Sequence, residues 1–174
     1  MDNKEKIMEE VQESNESHAQ RAARLFKSGY NCSQAVFAAF AEDYGIDREL
    51  ALRLSASFGG GMGRMREVCG AFSGMIMVNG LETGCVDGSA QGKLENYEAV
   101  QHLAEEYKKK SGGSIICREL LGLDKADNGK VEKSEPTPTA RTEGYYKKRP
   151  CIQLVMDACD ILDAELNKIG KVRE

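Results

Sequence analysis

The chain has 174 residues, of which 41% are hydrophobic and 30% charged, and its formal net charge is −4. This length suits one domain with a substantial core and is too short for two. The modest negative charge argues against a nucleic-acid or membrane-surface partner, and no apolar run approaches the roughly 20 residues of a membrane span. We therefore expect a single globular domain over residues 1–174, without membrane insertion.

Helix-favouring segments separated by glycine or capping residues fill the first half of the chain. Asn31 and Asp47 each precede an apolar stripe with helical spacing and are predicted to cap helices. The glycine-rich segment 59–63 is predicted to be a flexible turn, and the first helix is expected to fray over residues 1–18. The helices predicted here cover residues 2–27, 32–44, 47–54 and 64–78.

The second half has a long helical segment, a polar connection and a final helix. Residues 122–148 are rich in Lys, Glu, Asp and Thr and are predicted to form a flexible linker or lid. No run of alternating β-branched residues indicates a strand. The chain is therefore predicted to be an all-α, single-domain bundle of about six to seven helices. The later helices are predicted over residues 90–110, after Ser114, and over residues 150–169.

The six cysteines are the most informative residues of the chain. The N-terminus has no apolar stretch after its basic residues, so no signal peptide is predicted and a cytoplasmic location is expected. Stable disulfides are rare in that reducing compartment, which leaves buried inert thiols, metal ligands or redox-active thiols. The cysteines are Cys32, Cys69, Cys85, Cys117, Cys151 and Cys159.

Four of these cysteines lie near predicted helix starts. The unpaired N–H groups and positive dipole of a helix N-terminus favour a thiolate over a thiol. At least one of the four thiols is therefore expected to have a pKa below the free value. The four are Cys32, Cys69, Cys117 and Cys151, and the nearby cations are Arg64, Arg66, Arg118 and Arg149.

Other sequence features favour structural roles. Cys159, inside an amphipathic helix, is more often a core residue, and Cys85 is ambiguous. The pair Gly70 and Gly74 is predicted to form a close helix-packing face. The two histidines, His18 and His102, are expected at the surface. No Cys-x-x-Cys is present, so any metal site has to be assembled by the fold.

One motif carries a family resemblance. The segment Cys69-Gly70-Ala71-Phe72-Ser73-Gly74 matches Cys-Gly-Ala-x-x-Gly; Gly29-Tyr30-Asn31-Cys32-Ser33-Gln34-Ala35-Val36 precedes it, and Cys117-Arg118-Glu119-Leu120 and Cys151 follow. This ordered set resembles the C_GCAxxG_C_C family, described as putative redox-active proteins, over about residues 20–165. The resemblance implies a helical domain whose signature cysteines are Cys32, Cys69, Cys117 and Cys151. Cys85 and Cys159 have no counterpart in that signature.

Three functions remain open from the sequence. The first is a thiol redox protein, in enzymatic form a thiol oxidoreductase, that exchanges disulfides or electrons with a small-molecule or protein thiol. In this function Cys32 and Cys69 are the first pair of redox-active thiols, and Cys117 and Cys151 are resolving or co-ligand thiols. The second is a module holding zinc or an iron–sulfur cluster through the same four cysteines. The third is an interaction protein with buried cysteines, and a homodimer is compatible with each. The first two require the four sulfurs to converge on one pocket.

Overall fold

The structure is a computed structural model that describes residues 16–123 and 135–168. Two short 3₁₀ helices, Ala41–Tyr44 and Ala56–Phe58, accompany the α-helices, and the described residues contain no strand. None of the described helices combines the length and apolar character needed to cross a bilayer. The all-α prediction is confirmed. The described helices are α1 His18–Lys27, α2 Cys32–Phe40, α3 Arg48–Ser55, α4 Gly70–Thr83, α5 Ala90–Ser111, α6 Cys117–Leu120, α7 Glu143–Lys148 and α8 Cys151–Lys168.

Local capping interactions fix the starts of the first two helices. The Ser17 side chain accepts a hydrogen bond from the Gln20 backbone N–H, and the Gln20 side chain accepts one from the Ser17 backbone. Asn31 and Gln34 form the same reciprocal pair at the start of α2. Each pair satisfies two N–H groups that the helix itself leaves unbonded. The predicted frayed segment, residues 1–18, lies almost entirely outside the described residues.

Helix α2 lies at the centre of the bundle. Seven of its nine residues are buried, and it packs against α1, α3, α4 and α8. Helix α4 approaches it through the predicted glycine face. A Cβ atom at Gly74 would lie 2.9 Å from both the Ser33 carbonyl oxygen and the Val36 Cβ. The absence of side chains at this face therefore sets the close spacing of the two helices, as predicted.

The start of α4 differs from the prediction. A helix was expected from residue 64, but residues 59–69 form an irregular loop and α4 begins at Gly70. Three non-glycine residues of the loop, Met62, Arg64 and Arg66, have φ values of 58°, 71° and 62°. This left-handed backbone cannot continue a right-handed helix, and it is rare for residues with a Cβ atom.

The predicted linker, residues 122–148, is only partly described, since residues 124–134 lie outside the described part. Within the rest, Glu143–Lys148 is helical rather than irregular. Arg141 donates hydrogen bonds to the carbonyl oxygens of Phe26 and Tyr30, at the end of α1. The segment that follows residue 140 is therefore attached to the bundle, and its role as a lid stays a prediction.

His18 is half-buried rather than at the surface. Its ring stacks on Phe40 with the centroids 3.9 Å apart. Its two nitrogens lie 2.7 Å from carboxylate oxygens of Asp43 and Asp163. Burial lowers the pKa of His18, but hydrogen bonds and charge from Asp163 and Asp43 raise it more, so the net pKa is above 6.5. The protonated imidazole therefore ties α1 to α8 and to the end of α2.

We expect the ion pairs of His18 with Asp43 and Asp163 to make the free energy of unfolding depend on pH. Because the folded pKa of His18 is raised, its contribution is fully present below the unfolded value of 6.5 and is lost as pH rises through the folded pKa. Replacing His18 by Gln should cost on the order of 1 kcal/mol at pH 5.5 and less at pH 9. Urea unfolding at both pH values measures this. His102→Gln, at a half-exposed histidine, is the control, and equal losses at both pH values would contradict the assignment.

Candidate functional site

The four predicted cysteines line one cavity of about 290 Å³. Each lies at the N-terminal end of a helix: α2, α4, α6 or α8. The predicted convergence of these residues on one pocket is thus found. The described residues that line the cavity include Cys32, Arg64, Arg66, Cys69, Gly70, Cys117, Arg141, Tyr145, Arg149 and Cys151.

A short backbone contact joins the cysteines of α4 and α6. The Cys69 N–H donates to the Ile115 carbonyl at 2.7 Å, and the Cys117 N–H donates to the Glu67 carbonyl at 2.6 Å. An isolated antiparallel bridge between Val68 and Ile116 lies between these bonds. Cys69 and Cys117 are therefore brought together by extended backbone that precedes each helix.

Two glycines allow the elements around the cavity to approach closely. A Cβ atom at Gly61 would lie 2.7 Å from the Cys117 Cβ, and one at Gly70 would lie 3.2 Å from the Cys32 Cβ. Gly70 follows Cys69 in the Cys-Gly-Ala-x-x-Gly motif. The close approach of α4 to the first turn of α2 explains why a glycine follows Cys69 in the motif.

Cys32 and Cys151 are neighbouring thiols whose ionisations influence each other. The hydrogen bond to Cys151 raises the pKa of Cys32 well above its ordinary value, and burial raises it further. The same hydrogen bond lowers the pKa of Cys151, against the opposing effect of burial, and the charges of Arg149, Arg66 and Arg141 lower it too. Because these three arginine charges act on Cys151, it is the thiol of the pair that ionises first.

The other two cysteines are held as neutral thiols. Burial raises the pKa of Cys69, although a 3.4 Å contact with the Tyr107 hydroxyl and the backbone N–H groups of Phe72 and Ala71 lower it. Burial also raises the pKa of Cys117, to about 11, and the charge of Arg66 only partly opposes this. At Cys69, burial outweighs the helix-terminal N–H groups. A pKa below the ordinary value is found only at Cys151, and its causes are the Cys32 thiol and the arginine charges rather than the N–H groups of the helix start.

The cavity wall is strongly positive. Arg66 is only 9% exposed. The Arg149 guanidinium lies 4.9 Å from the Tyr145 ring centroid, and that of Arg141 lies 4.3 Å from the Phe26 ring centroid. Of the described residues that line the cavity, none is Asp or Glu. Such a wall favours a thiolate at Cys151.

The remaining cysteines lie elsewhere. Cys159 is completely buried within α8. The Cys85 thiol donates a 3.1 Å hydrogen bond to the Asp87 carboxylate, before α5. Neither lines the cavity, and all six cysteines are free thiols. Within the part of the chain that the structure describes, no three His, Cys, Asp or Glu side chains are arranged to hold a metal ion. The zinc or iron–sulfur alternative therefore has no preformed ligand set there.

Sequence reasoning identified the four cysteines of the cavity and some of its cations, but not the rest of its lining. Of the predicted cations, Arg64, Arg66 and Arg149 line the cavity. Arg118 instead pairs with the Glu67 carboxylate at 2.9 Å. Arg141 was missed because it lies in the polar segment that looked like a linker. Tyr107, which does not line the cavity but contacts Cys69, was missed as well, although its position four residues after the buried Leu103 in α5 was a signal for burial.

Comparison with known proteins gives a match to a protein family. The sequence model of the family described as putative redox-active protein (C_GCAxxG_C_C) matches residues 30–165, which is more than half of the chain. The match includes all four cysteines of the cavity. No curated protein and no solved structure shows significant similarity to the chain.

Proposed function

The chain belongs to the C_GCAxxG_C_C family of putative redox-active proteins, and from that premise we propose that it carries out thiol–disulfide exchange. Cys151 is the attacking thiolate and Cys32 is the resolving thiol. The observation that carries this assignment is that the two thiols lie in one cavity and influence each other, which lowers the pKa of Cys151 and raises that of Cys32. This pair differs from the Cys32 and Cys69 pair expected from the sequence, because the Cys69 thiol contacts the Tyr107 hydroxyl instead.

The first step transfers half of a disulfide substrate to the protein. The Cys151 thiolate attacks one sulfur of a substrate R–S–S–R, the substrate S–S bond breaks, and a Cys151–S–S–R bond forms. One R–S⁻ leaves and carries away the negative charge that Cys151 held. Loss of that charge removes the acceptor that kept the Cys32 proton in place, so the pKa of Cys32 is expected to fall at this stage.

The second step releases the substrate and oxidises the protein. The Cys32 proton passes to the departed R–S⁻, and the Cys32 sulfur attacks Cys151 Sγ. The mixed disulfide breaks, and a second R–S⁻ leaves. The substrate has then gained two electrons, and the protein holds a Cys32–Cys151 disulfide. A dithiol reductant returns it to two thiols by the same exchange in reverse.

Cys69 and Cys117 support this cycle without entering it. Their raised pKa values keep both thiols neutral at neutral pH. Neutral neighbours do not oppose the negative charge on Cys151, whereas two more thiolates in the same cavity would repel it. The zinc or iron–sulfur site, the interaction role, the homodimer and the cytoplasmic location stay predictions from the sequence.

The resolving role of Cys32 predicts a trapped intermediate. In Cys32→Ser the first step is intact and the second is blocked, so incubation with excess 2-hydroxyethyl disulfide should leave a mixed disulfide on Cys151. Intact-protein and peptide mass spectrometry measure the adduct and its position. The wild-type protein and Cys85→Ser should instead form the Cys32–Cys151 disulfide without a lasting adduct.

An adduct on Cys69 or Cys117, or no adduct at all, would show that the cavity does not work in this way. Metal analysis of the same protein, purified anaerobically, tests the alternative. Stoichiometric zinc or iron that is lost on Cys151→Ser would move the assignment to a metal module.

A further inference from the structure

We propose that the substrate of this site is a small disulfide that carries carboxylate groups, which Arg66 and Arg149 bind at the cavity wall. This inference rests on the proposed exchange reaction and adds the chemical class of its substrate. The observation behind it is an excess of guanidinium groups over negative charge in the cavity.

The excess is larger than thiol chemistry requires. Three guanidinium groups, those of Arg66, Arg141 and Arg149, act on Cys151, which holds at most one negative charge. No carboxylate compensates them among the described residues that line the cavity. The chain as a whole carries a net charge of −4, so the positive wall is a local arrangement and not a consequence of basic composition. Two positive charges are left for a bound anion.

Arg66 is placed at the wall by the loop before α4. It is only 9% exposed and has a left-handed backbone, with φ 62°. It lines the same cavity as Cys117, a thiol that stays neutral at neutral pH. A buried cation is costly unless an anion compensates it, and a neutral thiol is a poor substitute for a carboxylate. Left-handed non-glycine residues also cluster at functional sites, where the surrounding structure holds a strained backbone in place.

Arg149 is available for a ligand. Its guanidinium lies over the Tyr145 ring, and no described carboxylate forms an ion pair with it. This cation–π contact holds the guanidinium beside the ring and leaves its N–H groups able to bind a carboxylate through two parallel hydrogen bonds. Arg141 differs, because it already donates to the carbonyl oxygens of Phe26 and Tyr30.

The cavity also limits the size of the substrate. Its volume of about 290 Å³ is at the lower end for small-molecule sites. A short-chain disulfide fits this space better than a folded protein segment. The Cys151 sulfur lies in the same cavity as both arginines, so a carboxylate a few bonds from a disulfide would bring that disulfide to the thiolate.

Three disulfides that differ mainly in charge test this proposal. They are 3,3′-dithiodipropionate, a dianion; 2-hydroxyethyl disulfide, which is neutral; and cystamine, a dication. Each rate of reduction by the protein is divided by the rate with dithiothreitol, which removes the differences in intrinsic reactivity. We expect the dianion to be favoured over the neutral compound by about tenfold or more at low salt, with the preference decreasing as salt increases.

Variants assign the preference to the arginine. Arg149→Gln should reduce the ratio of the dianion rate to the neutral rate about tenfold, and Arg149→Lys should retain part of it. The ratio is used because Arg149 also affects the Cys151 thiolate, and that effect is common to both substrates. Arg53→Gln removes the same charge from an exposed ion pair with Glu49, outside the cavity, and should leave the ratio unchanged.

The outcomes separate this inference from the proposed function. Equal normalised rates for the three disulfides, or a preference for cystamine, would overturn the inference and leave the exchange reaction in place. Reduction of none of them would overturn both. The wild-type series decides the question even if an Arg149 variant fails to fold.

Discussion

Cys151→Ser is expected to lower the rate of disulfide reduction by on the order of 100-fold or more, because it removes the attacking sulfur itself. Serine has nearly the same size and keeps a hydrogen-bonding group beside Cys32, so the fold should be retained. Single-turnover reduction of 2-hydroxyethyl disulfide measures the rate. Cys85→Ser, which changes a half-buried thiol outside the cavity, should react like the wild type.

The pH dependence gives the same assignment independently. The lowered pKa of Cys151 means that its thiolate forms at lower pH than that of Cys117, whose pKa is raised to about 11. Iodoacetamide should therefore label Cys151 first as pH rises towards 9, as followed by peptide mass spectrometry. Faster labelling of Cys117 or Cys69, or unchanged activity of Cys151→Ser, would contradict the assigned roles.

Gly74→Ala is expected to lower the free energy of unfolding by about 1–3 kcal/mol, which is typical of overpacking. The new Cβ would lie 2.9 Å from the Ser33 carbonyl oxygen and from the Val36 Cβ, and neither can move without displacing α2. Because α2 begins at Cys32, this displacement should also disturb the thiol pair. Urea unfolding measures the loss of stability.

Gly80→Ala is the matched control for this substitution. Gly80 is in the same helix, is exposed, and would place its Cβ where no atom lies within 4 Å. Alanine there should raise stability by up to about 1 kcal/mol through its better helix propensity. If the two variants lose or gain stability equally, α4 does not depend on the close approach at Gly74.

The parts of the fold that could be predicted are those determined by neighbouring residues. Asn31 and Asp47 cap helices where the sequence indicated, because a cap depends on residues within one turn of it. The start of α4 could not be predicted in the same way. Its preceding loop contains left-handed residues, and one of them, Arg66, accepts a backbone hydrogen bond from Arg118, which is distant in sequence.

The candidate site, too, could be predicted only in part. The four cysteines are recognisable from their positions and from the family motif, but their chemical differences are not. The pKa of each thiol depends on burial and on its partner, which arise only when the helices assemble: Cys69 meets Tyr107, and Cys32 meets Cys151. Helix position alone predicted similar thiols, and tertiary structure makes them different.

The placement of the paired thiols links folding to electron transfer. Cys32 begins α2 and Cys151 begins α8, so a bond between them would enclose more than about 100 residues of chain, and closing such a loop removes on the order of 4–5 kcal/mol of conformational entropy from the unfolded state. By thermodynamic linkage, the free energy by which the disulfide stabilises the fold equals the free energy by which the fold stabilises the disulfide. The bundle itself should therefore shift the reduction potential downwards and make the protein an electron donor that only a strong dithiol reductant can recharge.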